Sequence, residues 1–379
     1  ASSTESNDIA RSSLEANIVH LPQGDFLKAG SRQFGSLWTR DFCFSVPGLL
    51  ILGKKSLVKN QLDFLIRNRR ADGLVPIYAD SISPMIRVIL SSINKTIGTK
   101  INLKLNEKLK PFYQAVGKFP TIDANILVLK ASYEYYQSTH DQEWWDSHQK
   151  DFNEIYHFYD RFIEDGLVVQ GAFSDWQDSA KREGKVFFTN LLYLEVAKKF
   201  QFKNEVELED LKNAIHKNFY DSNSGLYVSV AGSGFISLDG VLWAIDKDLL
   251  ENSEELYLNL KKDPLWNRYS IPGSVTFPSY PKKWIATHNK VSGLSEYHGK
   301  LAWSWLIALS AKIAKKMNDD QEAERIHLFL DKLLLRDQTV NEIYNPENNF
   351  EAFSSPLYFS ENPFSWGAAF ILETNRFFE

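Results

Sequence analysis

Six times along the chain, an apolar helix-periodic segment opens with a polar or aromatic residue just past a loop. The openings are Arg40-Asp41, Thr121-Ile122-Asp123, Thr189-Asn190, Leu238-Asp239, Tyr297-His298 and Ser365-Trp366. Apolar residues recur at helical spacing in 56–69 (Leu57, Leu62, Phe64, Leu65) and again at Ile122, Ile126, Leu127, Leu129, Tyr133 and Tyr136. The stretch 144–162, with Trp145, Phe152, Ile155 and Phe158 on one face, reads as the antiparallel partner of the second segment. The same pattern predicts helices over 187–200, 205–219, 238–250, 254–262, 301–317, 321–335 and 363–378. Short polar turns at 138–142 and 318–320 suit helical hairpins. If the apolar helices form an inner ring, the six starts point into one shared mouth. Ordinary capping explains any one opening, because helix N-termini carry unpaired N–H groups and tolerate acids. It explains less well why aromatic and charged residues recur at all six.

Composition narrows what such a mouth can bind. The 379 residues are 44% hydrophobic, enough for a large core, and no Gly-, Ser- or Pro-rich linker divides them, so one domain over 1–379 is expected. Net charge is −5 without a basic stripe, which argues against a nucleic-acid partner. No stretch is long and apolar enough to span a bilayer, so no membrane partner is expected. The polar opening Ala1–Asp8 carries no signal-peptide core, which gives a cytoplasmic expectation with a removed leader left open. Cys43, the single cysteine, cannot form an intrachain disulfide and reads as a small buried hydrophobe between Phe42 and Phe44. No cluster has metal-ligand spacing and no glycine loop cradles phosphate, so neither metal nor cofactor is expected. Aromatic residues reach 14%, which fits core packing and equally a cleft where rings stack on sugars. The segment 77–119 breaks the helical rhythm and reads as a lid or rim, or as a plain surface insertion.

Two carboxylates stand out by their surroundings. Asp178 follows Trp176 and Gln177, and Glu342 is neighboured by Tyr344 and Asn345, both in loops before apolar segments. Aromatic walls disfavour an ionised carboxyl and raise its pKa, which suits an acid. An acid paired with an ionised carboxylate is what glycoside hydrolysis needs. Asp175 rivals Asp178, and Glu347 and Glu351 rival Glu342.

The ordered blocks carry a resemblance. Leu37-Trp-Thr-Arg-Asp41 with Val46-Pro-Gly-Leu-Leu50, Asp72-Gly-Leu-Val-Pro76, Ile122-Asp123-Ala124 and Asp175-Trp-Gln-Asp178 with Thr189-Asn-Leu-Leu-Tyr193 come first. Tyr297-His-Gly299 with Trp303, Asn341-Glu-Ile-Tyr344 and Ser365-Trp-Gly367 follow. Together they resemble the six-hairpin glycosidases, a group that includes debranching amyloglucosidases, family 63 α-glucosidases and family 100 neutral invertases. The resemblance implies an all-α (α/α)6 barrel and inverting, exo-acting hydrolysis of a small α-glucoside. It implies Asp178 as general acid and Glu342 as general base, with carboxyls roughly 6.5–9.5 Å apart. It puts Arg40 and Asp41 on the hydroxyls of the cleaved sugar, and Trp38, Asp123, Trp176, Gln177, Asn190, Tyr297, His298 and Trp366 at sugar contacts. Two positions depart from the pattern. Tyr297-His298-Gly299-Lys300 stands where the families carry Tyr-His-Asn-Gly or Tyr-Trp-Arg-Gly, and Asn341 stands where the invertases carry Pro. A sucrose hydrolase of the neutral-invertase type and a catalytically inactive carbohydrate-binding protein remain the alternatives.

Overall fold

A computed structural model describes residues 2–114 and 120–379. Its helices alternate between an outer and an inner layer. Outer α1 (Ser2–Glu15) is followed by inner α2 (Thr39–Ile51), outer α3 (Lys55–Arg67) and the excursion helix α4 (Pro84–Ile97). Inner α5 (Ala124–Thr139) is backed by outer α6 (Gln142–Ser147) and α7 (Gln149–His157). Inner α8 (Phe187–Lys199) precedes outer α9 (Glu205–Phe219), and inner α10 (Leu238–Asp246) precedes outer α11 (Ser253–Lys262). After short α12 (Pro264–Asn267) and α13 (Thr287–Val291) come inner α14 (Ser304–Lys316), outer α15 (Asp320–Asp337) and inner α16 (Ser365–Asn375).

The inner helices touch in chain order, α2 to α5, α8, α10, α14 and α16, and α16 closes the ring against α2. Each has an outer helix behind it, α15 and α1 flanking the closure. This is an (α/α)6 barrel. Sequence dictates which layer a helix joins. α8, mostly apolar around its circumference, buries every residue from Phe187 to Ala197, whereas α9 buries only Leu211, Ile215 and Phe219. The barrel axis is filled by rings: Phe44 stacks flat on Trp366 at 4.5 Å, and Trp305 lies over Trp366 at 4.7 Å. Cys43 is buried in α2, in keeping with its apolar neighbours.

Short antiparallel ribbons pin the starts of inner helices. Leu37–Trp38 leads into α2 and pairs with Tyr78–Asp80, which in turn pairs with Lys110–Phe112. Gly184–Lys185, Ile236–Ser237 and Ala302–Trp303 do the same before α8, α10 and α14. One expected helix is altered, and two stretches for which no helix was expected hold one. The polar opening is a helix, α1, which fits against its neighbours through the small stripe Ser6, Ala10, Ser13 and Leu14, a pattern without the usual bulky periodicity. The helix expected over 144–162 is interrupted at His148, whose ring is held by Asp63 (3.1 Å) and Asp151 (2.8 Å), and ends in a 3₁₀ turn at Phe158–Phe162. The excursion 77–119 holds a full helix, α4; its residues 115–119 lie outside the described residues.

Candidate active site

Polar side chains from the N-terminal ends of the inner helices and the loops before them gather at one end of the barrel. Arg40, in the first turn of α2, reaches the N-cap residue of α5: Nε to Asp123 Oδ2 at 2.7 Å and Nη2 to Asp123 Oδ1 at 3.0 Å. The two-pronged geometry fits guanidinium to carboxylate. Arg40 therefore pairs with Asp123 on the next inner helix rather than with its sequence neighbour. Asp41 has no side-chain partner among the described residues. Burial pushes its pKa up to about 7, against the pull of Arg40 and with Asp178 and Asp123 adding. Burial likewise raises Asp123, with Arg40 opposing.

Asp178 lies on a loop that is tied down on every side. Asp175 receives the Gln177 N–H (2.8 Å), Gln170 Nε2 (2.9 Å) and Arg182 Nε (2.9 Å). Trp176 Nε1 and Gln177 Nε2 donate to Asp239 at 2.6 and 3.0 Å, and Arg182 Nη2 donates to the same oxygen at 2.9 Å. Asp175 is thus committed to bracing, and Asp178 is the loop carboxylate that remains open. Its side chain is 41% exposed, and its closest cation is Arg40 Nη1 at 4.0 Å. The carboxyl stands in a recess, open to water yet walled by protein. Loss of bulk solvent there pushes its pKa up to about 6, Arg40 opposing and Asp175 and Asp123 adding.

Glu342 is held differently. It precedes the strand Ile343–Asn345, whose pairing with Ala302–Trp303 fixes it at the start of α14. The carboxylate is 1% exposed. Tyr297 Oη donates to one oxygen; Tyr358 Oη (2.5 Å) and the Glu361 N–H (3.2 Å) donate to the other. Burial pushes its pKa up to about 7, while the two tyrosine hydroxyls and the Glu361 N–H pull down and Asp41 adds. The charge of Asp41 acts on Glu342, and that of Asp178 acts on Asp41 and on the Tyr297 hydroxyl, so these groups share one electrostatic space. The rivals of Glu342 lie elsewhere: Glu347 is bound to Lys300 and Glu351 is exposed.

The remaining predicted residues fall into three places. Trp38 is half-buried at the rim, its ring 4.6 Å from Tyr78. Tyr297 and His298 join the wall beside Glu342: His298 lies 5.3 Å over Trp303, bonds Ser179 Oγ through Nδ1 at 2.6 Å, and leaves Nε2 without a partner. Burial, helped by Arg182 and Arg40, holds the imidazole well below its usual pKa and therefore neutral. The others work within the frame. Gln177 is fully buried, and its amide oxygen accepts from Tyr280 Oη at 2.9 Å. Asn190 is fully buried and spends its amide on backbone: Val168 N–H (2.8 Å), Val168 carbonyl (3.0 Å) and Val186 carbonyl (2.9 Å). Trp366 is 2% exposed in the axial ring stack, and Trp176 stands edge-on above it at 5.6 Å.

Sequence reading missed Tyr358, Glu361 and Arg182. Tyr358 and Glu361 belong to a nonperiodic stretch that comes back to Glu342 through chain topology, so no spacing announces them. Glu361 is fully buried, accepts the backbone N–H groups of Arg32 (3.0 Å) and Phe34 (2.6 Å), and has its pKa pushed up to about 8 by burial and by Glu342. Arg182 is buried between Asp175 and Asp239; the signal for it was the unmatched acid at each of those positions. No group of residues able to hold a metal ion occurs among the described residues. A cavity of about 690 Å³ lies between α4 and the 352–363 loop, with Ser360 in its wall.

No protein-family model matches the sequence, and no curated protein matches it. Solved structures do match in fold. A rhamnosidase from Klebsiella oxytoca with rhamnose bound superposes with a TM-score of 0.68 at 14% identity, over 100% of this chain and 64% of its own. The GH63 mannosylglycerate hydrolase from Thermus thermophilus, in complex with glucose, gives 0.63 at 12% identity over 97% and 99% of the two chains. A wild-type glycosidase gives 0.61 at 14% identity over 99% and 97%. The chain spans just under two thirds of the rhamnosidase. These likenesses establish a six-hairpin, glycosidase-like (α/α)6 fold.

Proposed function

We propose that this chain is an inverting, exo-acting glycoside hydrolase that cleaves an α-glucosidic bond in a small carbohydrate. The observation that carries the reading is the contrast between two carboxyls at one barrel mouth. Asp178 is 41% exposed, with Arg40 at 4.0 Å as its one ion-pair contact among the described residues, whereas Glu342 is enclosed by three donors. O–H and N–H groups aimed at both oxygens favour the ionised form. Glu342 is therefore the base and Asp178 the proton donor, although their pKa values of about 7 and about 6 lie close together.

In the reaction, Glu342 takes a proton from water while the water oxygen bonds to the anomeric carbon. Asp178 gives its proton to the glycosidic oxygen as that bond breaks. Attack from the face opposite the leaving group inverts the anomeric centre. Solvent then returns a proton to Asp178 and removes one from Glu342. Arg40, oriented by Asp123, and Asp41, whose carboxyl meets no other side chain's donor among the described residues, suit hydroxyls of the bound sugar, one donating and one accepting. Neighbours of this fold that carry glucose or rhamnose are in keeping with a sugar ligand. In this reading α4 and the adjoining 77–114 segment form part of the rim of a single catalytic domain.

The test is to incubate the chain with maltose, isomaltose, trehalose and sucrose and to follow the released anomer by NMR. β-Glucose appearing first from any of them supports the reading. Release of the cleaved glucosyl residue as α-glucose, read most directly as two α-glucose from trehalose where inversion gives one α and one β, overturns inversion, and binding without turnover overturns hydrolysis.

A further inference from the structure

α4 is a surface helix turned inside out. Such helices normally bury aliphatic residues and expose polar ones. Here Arg87 and Ser91 are buried, while Met85, Ile86, Val88, Ile89, Ile93 and Ile97 face outward, the first and last each 64% exposed. Ile101 and Leu103 continue the strip, which holds more than half of the exposed large hydrophobic residues among those described. The orientation is locked from below. Arg87 Nε and Nη2 donate to the two oxygens of buried Asp80 at 2.6 and 2.9 Å, and Asn94 Nδ2 donates to the Ile101 carbonyl at 2.7 Å. Rotating the helix to hide its aliphatic face would strand that buried ion pair.

Charge identifies what covers the face. From Ser81 to Asn106 there is no acid, and the basic residues are Arg87, Lys95, Lys100 and Lys104. Arg87 is neutralised by Asp80, and Lys95 bonds Ser354. Lys100 and Lys104 are exposed and have no ion-pair partner among the described residues; beyond them exposed Lys108 and Lys110 follow a single exposed acid, Glu107. A second copy of this face would set lysines against lysines. The strip also lacks the aromatic and arginine anchors of protein interfaces. An aliphatic strip bordered by lysines is the pattern of a helix lying in the interface of an anionic membrane.

We propose that α4 and the segment through Lys110 dock on an anionic phospholipid bilayer, the helix flat in the interface. At 14 residues it is about 21 Å long and cannot span the bilayer. No helix among the described residues is long and apolar enough to cross a membrane, and that criterion alone led the sequence reading to set membranes aside. Surface attachment escapes it. Tyr78, on the ribbon leading into α4, lies against Trp38 at the rim, so docking brings the mouth close to the headgroup layer.

The test is co-sedimentation of the 379-residue chain with vesicles of phosphatidylcholine alone or mixed with phosphatidylglycerol. Binding to the mixed vesicles, weakened by salt, is expected. I89E/I93E should abolish it, and K100E/K104E should weaken it by roughly fivefold or more per lysine. Circular dichroism verifies folding, which these exposed positions should not disturb. Absence of binding by the folded wild type overturns the proposal, as does binding that I89E/I93E leaves intact. A dimer in solution that I89E/I93E splits, without vesicle binding, assigns the face to a second copy instead and likewise overturns it.

Discussion

The two ends of the six inner helices bury carboxylates in opposite ways. At the C-terminal end, Glu195, Asp246, Glu134 and Glu373 sit among lysines. Lys199 lies 2.5 Å from Glu195, Lys316 2.9 Å from Asp246, Lys312 3.3 Å from Asp246, and Lys130 2.9 Å from Glu134. Burial alone would raise Glu195 and Asp246, but the lysines overcome it: Glu195 falls to about 2 and Asp246 falls well below the carboxylate range, whereas burial keeps Glu373 raised against Lys312. At the N-terminal end, Asp41, Asp178, Glu342 and Glu361 outnumber Arg40, and their pKa values rise to about 7, 6, 7 and 8. The axial rings lie between, with Lys130 reaching up to Phe44 at 5.6 Å and Trp243 at 5.2 Å. Helix dipoles favour acids at one end and lysines at the other; at the N-terminal end the arginines are taken up by Asp123, Asp175 and Asp239, which leaves Asp41, Asp178, Glu342 and Glu361 short of cations. Paired charge serves structure; charge left short of partners is available to a substrate.

Neutralising one acid at each end should therefore separate activity from stability. Asp178→Asn is expected to lower kcat by about 10²–10⁴-fold, with little change in thermal stability, because its carboxyl is 41% open and its ion-pair contact, Arg40 at 4.0 Å, is long. Asp246→Asn leaves Lys312 and Lys316 facing a neutral amide. It should cost about 3–5 kcal/mol of stability while the folded fraction turns over normally. Steady-state kinetics together with urea unfolding measure both. If Asp178→Asn unfolds the protein, or Asp246→Asn abolishes turnover without loss of stability, the division between the ends fails.

Next in size is the pH dependence of stability. The mouth acids bind protons more tightly folded than unfolded. Their contribution is complete below an unfolded pKa near 4 and is lost as pH rises through about 6 to about 8. The paired acids behave in the reverse sense: their contribution is present above that unfolded value and is lost as pH falls toward about 2. Calorimetry should find the highest Tm in mildly acidic buffer, with decline on both sides. Asp178→Asn should flatten the alkaline side only. A Tm that keeps rising above pH 8 would contradict the raised values at the mouth.

The paired end and the open end were not equally legible in the sequence. Helical periodicity revealed α8 and α14 because every turn of each is buried, and it marked the six helix starts from which the mouth is built. It missed α1, whose contact stripe is Ser6, Ala10, Ser13 and Leu14, and it passed over α4, whose aliphatic face points outward. Individual carboxylates were distinguishable only by neighbours in sequence. What separates Asp175 from Asp178 is Arg182, four positions beyond Asp178 and folded back. What clamps Glu342 is Tyr297 and Tyr358, brought in by two separate loops. Arg40 and Asp41 are neighbours in sequence, but the helix sets their side chains on different bearings and Asp123 takes the arginine. Hydrogen-bond partners distant in sequence leave no periodic trace.

The smallest effect bears most directly on which carboxyl is the base. Tyr358 donates to Glu342 at 2.5 Å from a buried position. Tyr358→Phe removes a hydrogen bond to a charged group, worth about 1.5–3 kcal/mol, and so raises the Glu342 pKa by roughly one to two units. If Glu342 must be ionised and Asp178 protonated, the bell in log kcat/KM against pH is centred midway between their pKa values. Raising Glu342 moves that centre alkaline by half the shift. It also lowers the maximum, on the order of tenfold per unit, because Glu342 already titrates above Asp178. If the roles were exchanged, with Glu342 as acid and Asp178 as base, the same substitution would broaden the bell on its alkaline side and would not depress its maximum. If Tyr358 merely packs, activity would fall equally at all pH values and the bell would stay where it is. The shape of one pH profile thus decides between a base held ionised by tyrosines and an acid that happens to touch them.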